Sequence, residues 1–240
     1  EMCIRDRFNA LLARIEKAYS QMEGFNADVA HELCTPLATL IANNELALRH
    51  PDQADMQEVI ASNLEELHRL TGIVNDMLFL SQADRGVGAR RAPVSSLASL
   101  AADVLDYHEA SLAEAGLTAK VVGDVQGAFD APLLRRALSN LLGNATRYAR
   151  PGSIVQVGFK AMEEDRVLIT VTNCGDMIDP EILPHFFDRF FRADPARSHG
   201  QSNHGLGLAI VGAIARMHQG KPVAWSDSGV TSVGMEISAN

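Results

Sequence analysis

The chain has 240 residues, of which 47% are hydrophobic and 21% charged, and its formal net charge is −9 at pH 7. These values are typical of a soluble globular protein and exclude a disordered chain or a collagen-like repeat. The three cysteines are odd in number and widely spaced, which excludes a disulfide scaffold and favours a reducing compartment. The negative charge argues against a generic nucleic-acid surface.

No apolar run reaches the roughly 20 residues that a membrane-spanning helix needs. The best candidate, 205–217, is shorter and contains Arg216. The first residues also lack the apolar core of a secretory leader. We therefore expect a cytosolic chain, or the cytosolic part of a longer protein.

Residues 8–82 are predicted to be helical almost throughout, with one break at Pro51. Apolar side chains recur at steps of three and four on both sides of the break, as in amphipathic helices. The first stripe comprises Met22, Phe25, Val29, Leu33, Leu37, Leu40 and Ile41, and the second comprises Met56, Val59, Ile60, Leu64, Leu67, Leu70, Ile73, Val74, Met77 and Leu78. Two such helices predict an antiparallel hairpin. Because a hairpin encloses little core, we expect a second copy to complete a four-helix bundle.

After a segment rich in glycine and arginine at 83–93, the apolar pattern alternates between helix and strand periods. Helices are predicted over 95–115, 131–148 and 207–217, and strands over 118–122, 154–160, 166–173, 222–226 and 233–237. Because helices and strands mix without regular βαβ order, we expect an α/β sandwich in this half.

The first motif that carries chemistry surrounds His31, which lies off the apolar stripe of the first helix. A neutral imidazole is a competent nucleophile, and the carboxylate of the neighbouring Glu32 can take its proton. Thr35 shares the exposed face, and Pro36 permits a bend one turn below His31 because it lacks an N–H. An isolated pair of this kind is more commonly a surface histidine beside a surface glutamate.

The second motif lies on the helix predicted over 131–148. Asn140 and Asn144 are one turn apart on one face, and amide oxygens can ligate a hard cation such as Mg²⁺. Arg147 follows as a possible phosphate partner. Without other motifs, this segment is also compatible with the polar side of an ordinary helix.

Three further motifs follow along the chain. Asn173 ends a strand where its amide could read an adenine edge, and Gly175 lets the backbone approach the base; a plain strand exit is the alternative. Residues 186–192 combine aromatic side chains with two arginines, and alone they indicate core packing and ion pairs. Gly205 and Gly207 open a helix, which suits phosphate binding, although packing glycines are the alternative. The polar segment between Arg192 and Gly205 is typical of a loop that closes over a site.

The order of these five motifs resembles that of the sensor histidine kinases of bacterial two-component systems. The resemblance implies a helical hairpin that dimerises into a four-helix bundle, followed by an α/β sandwich ATP-binding domain of the histidine kinase/Hsp90/gyrase type. It assigns residues 1–20 to the end of a membrane-proximal linker helix and 21–85 to a dimerisation and histidine phosphotransfer domain. Residues 86–93 become a linker, and 94–240 the catalytic ATP-binding domain.

The resemblance also implies roles for individual residues. His31 matches the phosphoacceptor, Glu32 its general base, Thr35 a position that aids phosphatase chemistry, and Asn144 the Mg²⁺ ligand. The ATP-binding positions it implies are Asn140, Asn144, Arg147, Tyr148, Asn173, Gly175, Ile178, Phe187, Arg189, Arg192, Gly205, Gly207 and Leu208. The implied activity is ATP-dependent autophosphorylation and phosphoryl transfer to a response-regulator aspartate, within a homodimer and without nucleic acid. The implied location is the cytoplasmic side of the bacterial inner membrane, with the membrane reached only through segments outside this chain.

Three positions depart from the majority pattern of that family. Asn173 stands where most members have an adenine-reading aspartate, Met177 replaces the usual second glycine, and Cys34 stands where arginine is commonest. The first two are similar to the branch that senses heavy metals, chiefly copper and silver.

Two other interpretations are weighed against the kinase. A chaperone- or topoisomerase-type ATPase shares the nucleotide fold, but it would need a catalytic glutamate, commonly at the position of Asn140. A dimerisation module without kinase activity is supported only by the departures at Asn173 and Met177, and nucleotide affinity would separate it from a kinase.

Overall fold

The computed structural model describes residues 2–50, 55–192 and 204–240, although the side chains of most residues before 27 are not described. The chain divides into two compact units, residues 1–75 and 76–240. None of the described helices is long and apolar enough to cross a membrane.

The first unit is a helical hairpin. Helix α1 spans Met2–Arg49 and continues through Pro36, and helix α2 spans Met56–Asp84, so that its last nine residues belong to the second unit. The Asp55 carboxylate caps α2 by accepting from the Gln57 N–H at 2.9 Å. The predicted break after His50 is confirmed.

The two apolar stripes each divide into two sets in the structure. Val29, Leu33, Leu40, Val59 and Leu70 are half-buried within the hairpin, and Ala47 and Ile73 are buried. The other set is solvent-exposed and comprises Leu37, Ile41, Met56, Ile60, Leu64, Leu67, Val74 and Leu78. A single hairpin therefore covers only one edge of each predicted stripe. Met22 and Phe25 lie outside the described side chains.

The second unit contains most of the regular elements. In chain order they are β1 (Ala92–Val94), α3 (Leu97–Glu114), β2 (Thr118–Val122), β3 (Gly127–Phe129), α4 (Ala131–Tyr148), β4 (Ile154–Ala161), β5 (Arg166–Cys174), a short 3₁₀ helix (Leu183–His185), α5 (Gly207–Met217), β6 (Lys221–Asp227) and β7 (Val230–Ser238). All eight helices and strands predicted for this half are confirmed, with small shifts at their ends. The pair β1–β3 and the 3₁₀ helix were not predicted, since three residues are too few to show a period.

The main sheet has the strand order β2-β4-β5-β7-β6. Strands β2 and β4 are parallel, and the other neighbours are antiparallel. Alternate residues of β5 are buried, and α4 and α5 contact this sheet and each other. Helices α3, α4 and α5 therefore cover the buried side of a mixed sheet, and the predicted α/β sandwich is confirmed.

The segment after α2 is tied to the second unit by its backbone. The Ala89 N–H donates to the Met217 carbonyl at 3.2 Å, and the Arg90 N–H donates to the Asp130 carboxylate at 2.8 Å. Asp130 in turn caps the start of α4 by accepting from the Leu133 N–H at 3.2 Å. The linker residues from Ala89 onward are thus part of the folded unit.

Candidate functional site

The histidine motif lies on a continuous stretch of α1. The His31 side chain is exposed, Glu32 is half-buried and Pro36 is buried. The Thr35 hydroxyl donates to the His31 carbonyl at 3.1 Å, and the Thr39 hydroxyl donates to the Thr35 carbonyl at 3.2 Å. These bonds support the helical turns on both sides of Pro36, whose ring supplies no N–H. The imidazole is consequently presented to solvent from a regular helix.

The two asparagines lie on the half-buried side of α4. This helix begins at the Asp130 cap with a proline in its first turn, and six of its residues pack into the core: Leu134, Ala137, Leu138, Leu141, Leu142 and Ala145. Asn140 and Asn144 lie beside that core face and are half-buried. The Asn140 amide donates to the Arg136 carbonyl at 3.0 Å, which orients its oxygen away from the helix backbone.

That oxygen faces the beginning of α5. A Cβ built at Gly207 would lie 2.9 Å from the Asn140 Oδ1, closer than carbon atoms are found to approach oxygen without displacement. Glycine at 207 therefore lets α5 begin directly beside the Asn140 amide. The first N–H groups of a helix have no partner within it and favour anions. The structure therefore brings together Asn140 and Gly207, two of the residues that the resemblance assigns to ATP binding.

The aromatic and arginine segment, residues 186–192, packs against Gly205, the first glycine of the Gly205/Gly207 motif. The Phe190 N–H donates to the Gly205 carbonyl at 3.0 Å, and a Cβ at Gly205 would lie 2.6 Å from the Phe190 backbone. Gly205 also has a φ of +67°, which favours glycine. Phe187 packs near Gly212 of α5. The loop predicted between these segments falls largely at 193–203, outside the described residues.

The exit of β5 lies against the end of α4. The Arg150 N–H donates to the Cys174 carbonyl at 2.7 Å, and a Cβ at Gly175 would lie 2.5 Å from the Tyr148 carbonyl oxygen. Asn173 is 5% exposed and points to the helix side of the sheet. Glycine at 175 is therefore required by the backbone at the end of α4, in addition to the predicted approach to an adenine base.

Two arginines give this region positive charge. Burial lowers the pKa of Arg147 and outweighs the interaction with Tyr148, which raises it; the charge of the half-buried Arg192 acts in the same direction as burial. The Arg147 Nε is buried, and no described residue forms a hydrogen bond with it. A half-buried guanidinium with an unused buried donor fits an anionic ligand, because an acceptor on the ligand would supply the missing hydrogen bond.

Other predicted positions fall around the same helices. Ile178 follows β5, Leu208 lies in the first turn of α5, and both are half-buried; Tyr148 is exposed at the end of α4. Met177 is 82% exposed, so its departure from glycine meets no steric barrier. Cys34 is exposed on α1. His31, Glu32 and Thr35 belong to the first unit.

The side-chain oxygens near α4 could bind a hard cation only if a substrate supplied further ligands. Among the described residues, no three histidine, cysteine, aspartate or glutamate side chains group as a metal site. Mg²⁺ takes oxygen ligands and is commonly held by one or two protein groups together with substrate phosphates. Two amide side chains beside an anion-favouring helix start fit that mode of binding.

Sequence reasoning missed one set of contacts in this unit. The carboxylates of Asp76 and Asp84, near the end of α2, pair with Arg136 and Arg189 at 2.6 Å each. The partners are far apart in the sequence, so no local pattern could reveal these pairs.

Two family models match the chain. Residues 21–86 match the His Kinase A (phospho-acceptor) domain, and residues 129–238 match the histidine kinase-, DNA gyrase B-, and HSP90-like ATPase. The matched segments include His31 in the first case and α4, β5 and α5 in the second.

Comparison with curated proteins gives closely related sequences. The chain is 42% identical over 222 residues to the sensor histidine kinase CusS of Escherichia coli O6:H1, covering 92% of this chain and 46% of CusS. It is 37% identical over 224 residues to the sensor protein CzcS of Cupriavidus metallidurans, covering 93% and 47%. The chain therefore spans about half the length of the curated relatives it matches.

Solved structures give the same fold. The Acinetobacter baumannii histidine kinase AdeS matches with a TM-score of 0.73 and 21% identity, covering 88% of this chain and 98% of that one. Histidine kinase ThkA, solved in complex with the response regulator protein TrrA, matches with a TM-score of 0.71 and 20% identity, covering 94% and 64%.

A helical hairpin that exposes a histidine beside a glutamate, followed by this α/β sandwich, defines the core of a histidine kinase. The chain belongs to the sensor histidine kinase family, in the heavy-metal branch that includes CusS, CzcS and SilS.

Proposed function

We propose that this chain is the kinase core of a two-component sensor, which phosphorylates His31 from ATP and passes the phosphoryl group to a response-regulator aspartate. The observation that carries the proposal is that one chain matches both family models. An exposed histidine lies in the phospho-acceptor match, and an ATPase match follows it.

The chemistry at His31 needs a neutral ring and a proton acceptor. One ring nitrogen attacks the γ-phosphorus, so that an N–P bond forms while the P–O bond to the leaving ADP breaks. The proton on the other ring nitrogen becomes acidic as the ring gains positive charge, and the Glu32 carboxylate is the adjacent base. In the second transfer the N–P bond breaks, and the phosphorus bonds to the aspartate oxygen of the regulator. We assign Thr35 to the hydrolytic reaction that removes phosphate from the regulator.

In the second unit we assign the nucleotide to the region around α4 and the start of α5. Asn173, Gly175 and Ile178 would face the adenine, and Asn140, Arg147 and Tyr148 the rest of the nucleotide. The remaining ATP-binding assignments are Phe187, Arg189, Arg192, Gly205, Gly207 and Leu208. The unpartnered Arg147 Nε and the close approach of Gly207 to Asn140 support this placement. Mg²⁺, held by Asn144 with the phosphates, would supply charge neutralisation for phosphoryl transfer.

The exposed apolar set of the hairpin supports a homodimer. Five apolar side chains of this set recur at helical spacing and are nevertheless 46–61% exposed. They are Leu37, Ile41, Ile60, Leu64 and Leu67. A contiguous apolar surface of this kind is stabilised by covering it, at about 25 cal/mol per Å² of buried area. A second hairpin presents the same stripes and completes a four-helix bundle.

The wider role is proposed from the relatives. The solved complex of ThkA with its response regulator supports a regulator as the second partner. Similarity to CusS, CzcS and SilS supports heavy-metal-responsive signalling, with copper or silver as the first ions to test. We place the parent protein at the inner membrane, with this part on its cytoplasmic side.

The test is phosphorylation with γ-labelled ATP and Mg²⁺. We expect an acid-labile, base-stable phosphoprotein, and we expect His31→Gln to abolish the label while ATP binding persists. The matched control is His68→Gln, which removes another exposed histidine of the hairpin. Label that survives in His31→Gln, or is lost equally in both variants, would contradict the proposal.

A further inference from the structure

The end of α2 is held on the ATP-binding unit by three contacts. The Asp76 carboxylate accepts from the Arg136 guanidinium at 2.6 Å, and the Arg136 Cζ lies 4.2 Å from the centre of the Phe79 ring. Eight residues after Asp76, the Asp84 carboxylate accepts from the Arg189 Nη2 at 2.6 Å. We call these contacts of Asp76, Phe79 and Asp84 the α2 clamp.

Both arginines of the α2 clamp border the proposed nucleotide site. Arg136 lies one turn before Asn140 and accepts from its amide through the backbone carbonyl. Arg189 lies in the aromatic segment. The residue after it, Phe190, donates a backbone hydrogen bond to the Gly205 carbonyl. A change at either arginine is therefore close to the groups assigned to phosphate binding.

Carboxylate and phosphate oxygens compete for the same guanidinium face. An arginine binds either group through parallel N–H donors in one plane, and it binds the more highly charged anion more strongly. Asp84 presents a single negative charge to Arg189, whereas the phosphate groups of a nucleotide would present more than one. Because Asp84 is at the very end of α2, loss of its bond loosens the helix end from the unit.

We propose that Asp84 is an internal competitor of the nucleotide phosphates for Arg189, so that phosphate binding and docking of the α2 end oppose each other. The inference rests on the proposed function, since Arg189 must reach the phosphates. The coupling is reciprocal: bound nucleotide weakens the docked end of α2, and an undocked end of α2 strengthens nucleotide binding.

The size of the effect follows from the exposure of the pair. The side chains of Arg189 and Asp84 are 30% and 51% exposed, so the bond is partly screened by water. Pairs of this kind change an equilibrium by about five-fold at most. Asp76 and Phe79 hold the same segment through Arg136, so Asp84 biases docking by degree and does not switch it fully.

The test compares Asp84→Asn with Asp103→Asn in the whole chain. Asp103 forms an equally short pair with Arg135 at 2.6 Å, on the same unit, so its variant makes the same charge change. We expect Asp84→Asn to bind Mg²⁺–ADP about two- to five-fold more tightly than the parent by calorimetry. Adenosine affinity should be unchanged, and Asp103→Asn should match the parent for both ligands.

Two further measurements examine the mechanism. In an Arg189→Gln background, Asp84→Asn should no longer change ADP affinity, since the competitor has nothing to release. Amide hydrogen exchange over 81–88 should increase when ADP is added to the parent, and it should already be fast in unliganded Asp84→Asn.

The outcomes separate this inference from the function on which it rests. A parent that binds no ADP overturns both. A parent that binds ADP with the same affinity as Asp84→Asn overturns the inference alone. Weaker ADP binding in Asp84→Asn also overturns it, because Asp84 would then position Arg189 for the nucleotide.

Discussion

The hairpin and the ATP-binding unit differ in how much of their apolar side-chain surface they bury within themselves. Among the described residues of the first unit, the buried apolar side chains are Pro36, Ala47 and Ile73, while many leucines and isoleucines are exposed. The ATP-binding unit encloses a continuous core between its sheet and three helices, including Phe129, Leu138 and Ile210. The unit that holds the nucleotide can thus be stable alone, whereas the unit that carries His31 gains most from a second copy.

The difference also separates two kinds of chemistry. A phosphoacceptor must be reached by both an ATP-bearing site and a regulator, which requires exposure. A nucleotide site needs fixed donors, which requires support from a packed core. The four predictions below test this division, from the largest expected effect to the smallest.

The largest effect is expected from removing the proposed Mg²⁺ ligand. Asn144→Ala should lower the rate of autophosphorylation by about 10²- to 10³-fold, because a charge-stabilising contact to the phosphates is lost. The control is Asn44→Ala, which removes an exposed amide from the hairpin instead. Similar rates in both variants, with unchanged circular dichroism, would remove Asn144 from the site.

The second prediction compares a buried leucine with an exposed one. Leu138→Ala should destabilise the ATP-binding unit by about 2–5 kcal/mol in urea unfolding, since it leaves a cavity in α4's packed face. Leu64→Ala should hardly change that transition but should raise the dimer dissociation constant measured by sedimentation. If Leu64→Ala left the dimer intact and lowered the unit's stability, the division between the two regions would fail.

The third prediction concerns the departure at Asn173. The Asn173 side chain is nearly fully buried, and its amide can both accept and donate to an adenine edge. Asn173→Leu should weaken ATP binding by about 1–3 kcal/mol in calorimetry, because a buried polar contact is lost. Asn173→Asp, which restores the commoner residue, should retain binding. Equal affinity in Asn173→Leu and the parent would favour the module without kinase activity.

The smallest effect is a pH dependence from His218, which is fully buried. Its Nε2 accepts from the Asp130 N–H at 3.1 Å, and its Nδ1 is 2.9 Å from the Ile214 carbonyl, which fits a neutral ring. Burial lowers the pKa of His218 from its ordinary value of 6.5 and outweighs the bond to the Ile214 carbonyl, which raises it. The unfolded chain therefore takes up this proton first as the pH falls.

It follows that His218 contributes stability above about pH 6.5 and loses it progressively below that value. Urea unfolding between pH 5 and 8 should show this decline in the parent and in the exposed-histidine control His68→Gln. His218→Gln should have lower stability at pH 8 and a flatter profile. A parent profile as flat as that of His218→Gln would show that the ring is not buried as a neutral group.

Local sequence patterns predicted the helices and strands well, because the periods of both can be recognised within a short stretch of sequence. The ends of α4 matched the prediction at both residues, since its Asp130 cap and the Pro132 that follows are local signals. The site was predicted through motif order, and the structure brought Asn140 beside Gly207 and Phe190 beside Gly205.

What could not be predicted depends on distant partners. Asp84 and Arg189 are 105 residues apart, and either alone is an ordinary surface charge. The division of each hairpin stripe into a half-buried and an exposed edge was also missed, because periodicity indicates an apolar face without saying which helix covers it. The close approach of Gly175 to the α4 backbone was not predicted either, because it too joins distant parts of the sequence.

The backbone bonds of Ala89 and Arg90 set the length of a tether. Once the end of α2 is undocked, only residues 85–88 separate Asp84 from the first anchored residue. At full extension the five steps from Asp84 to Ala89 reach about 18 Å. A unit held on so short a tether stays at an effective concentration in the millimolar range near its docking segment. Redocking is then unimolecular and insensitive to dilution, so a signal can act on it only by changing the docking equilibrium.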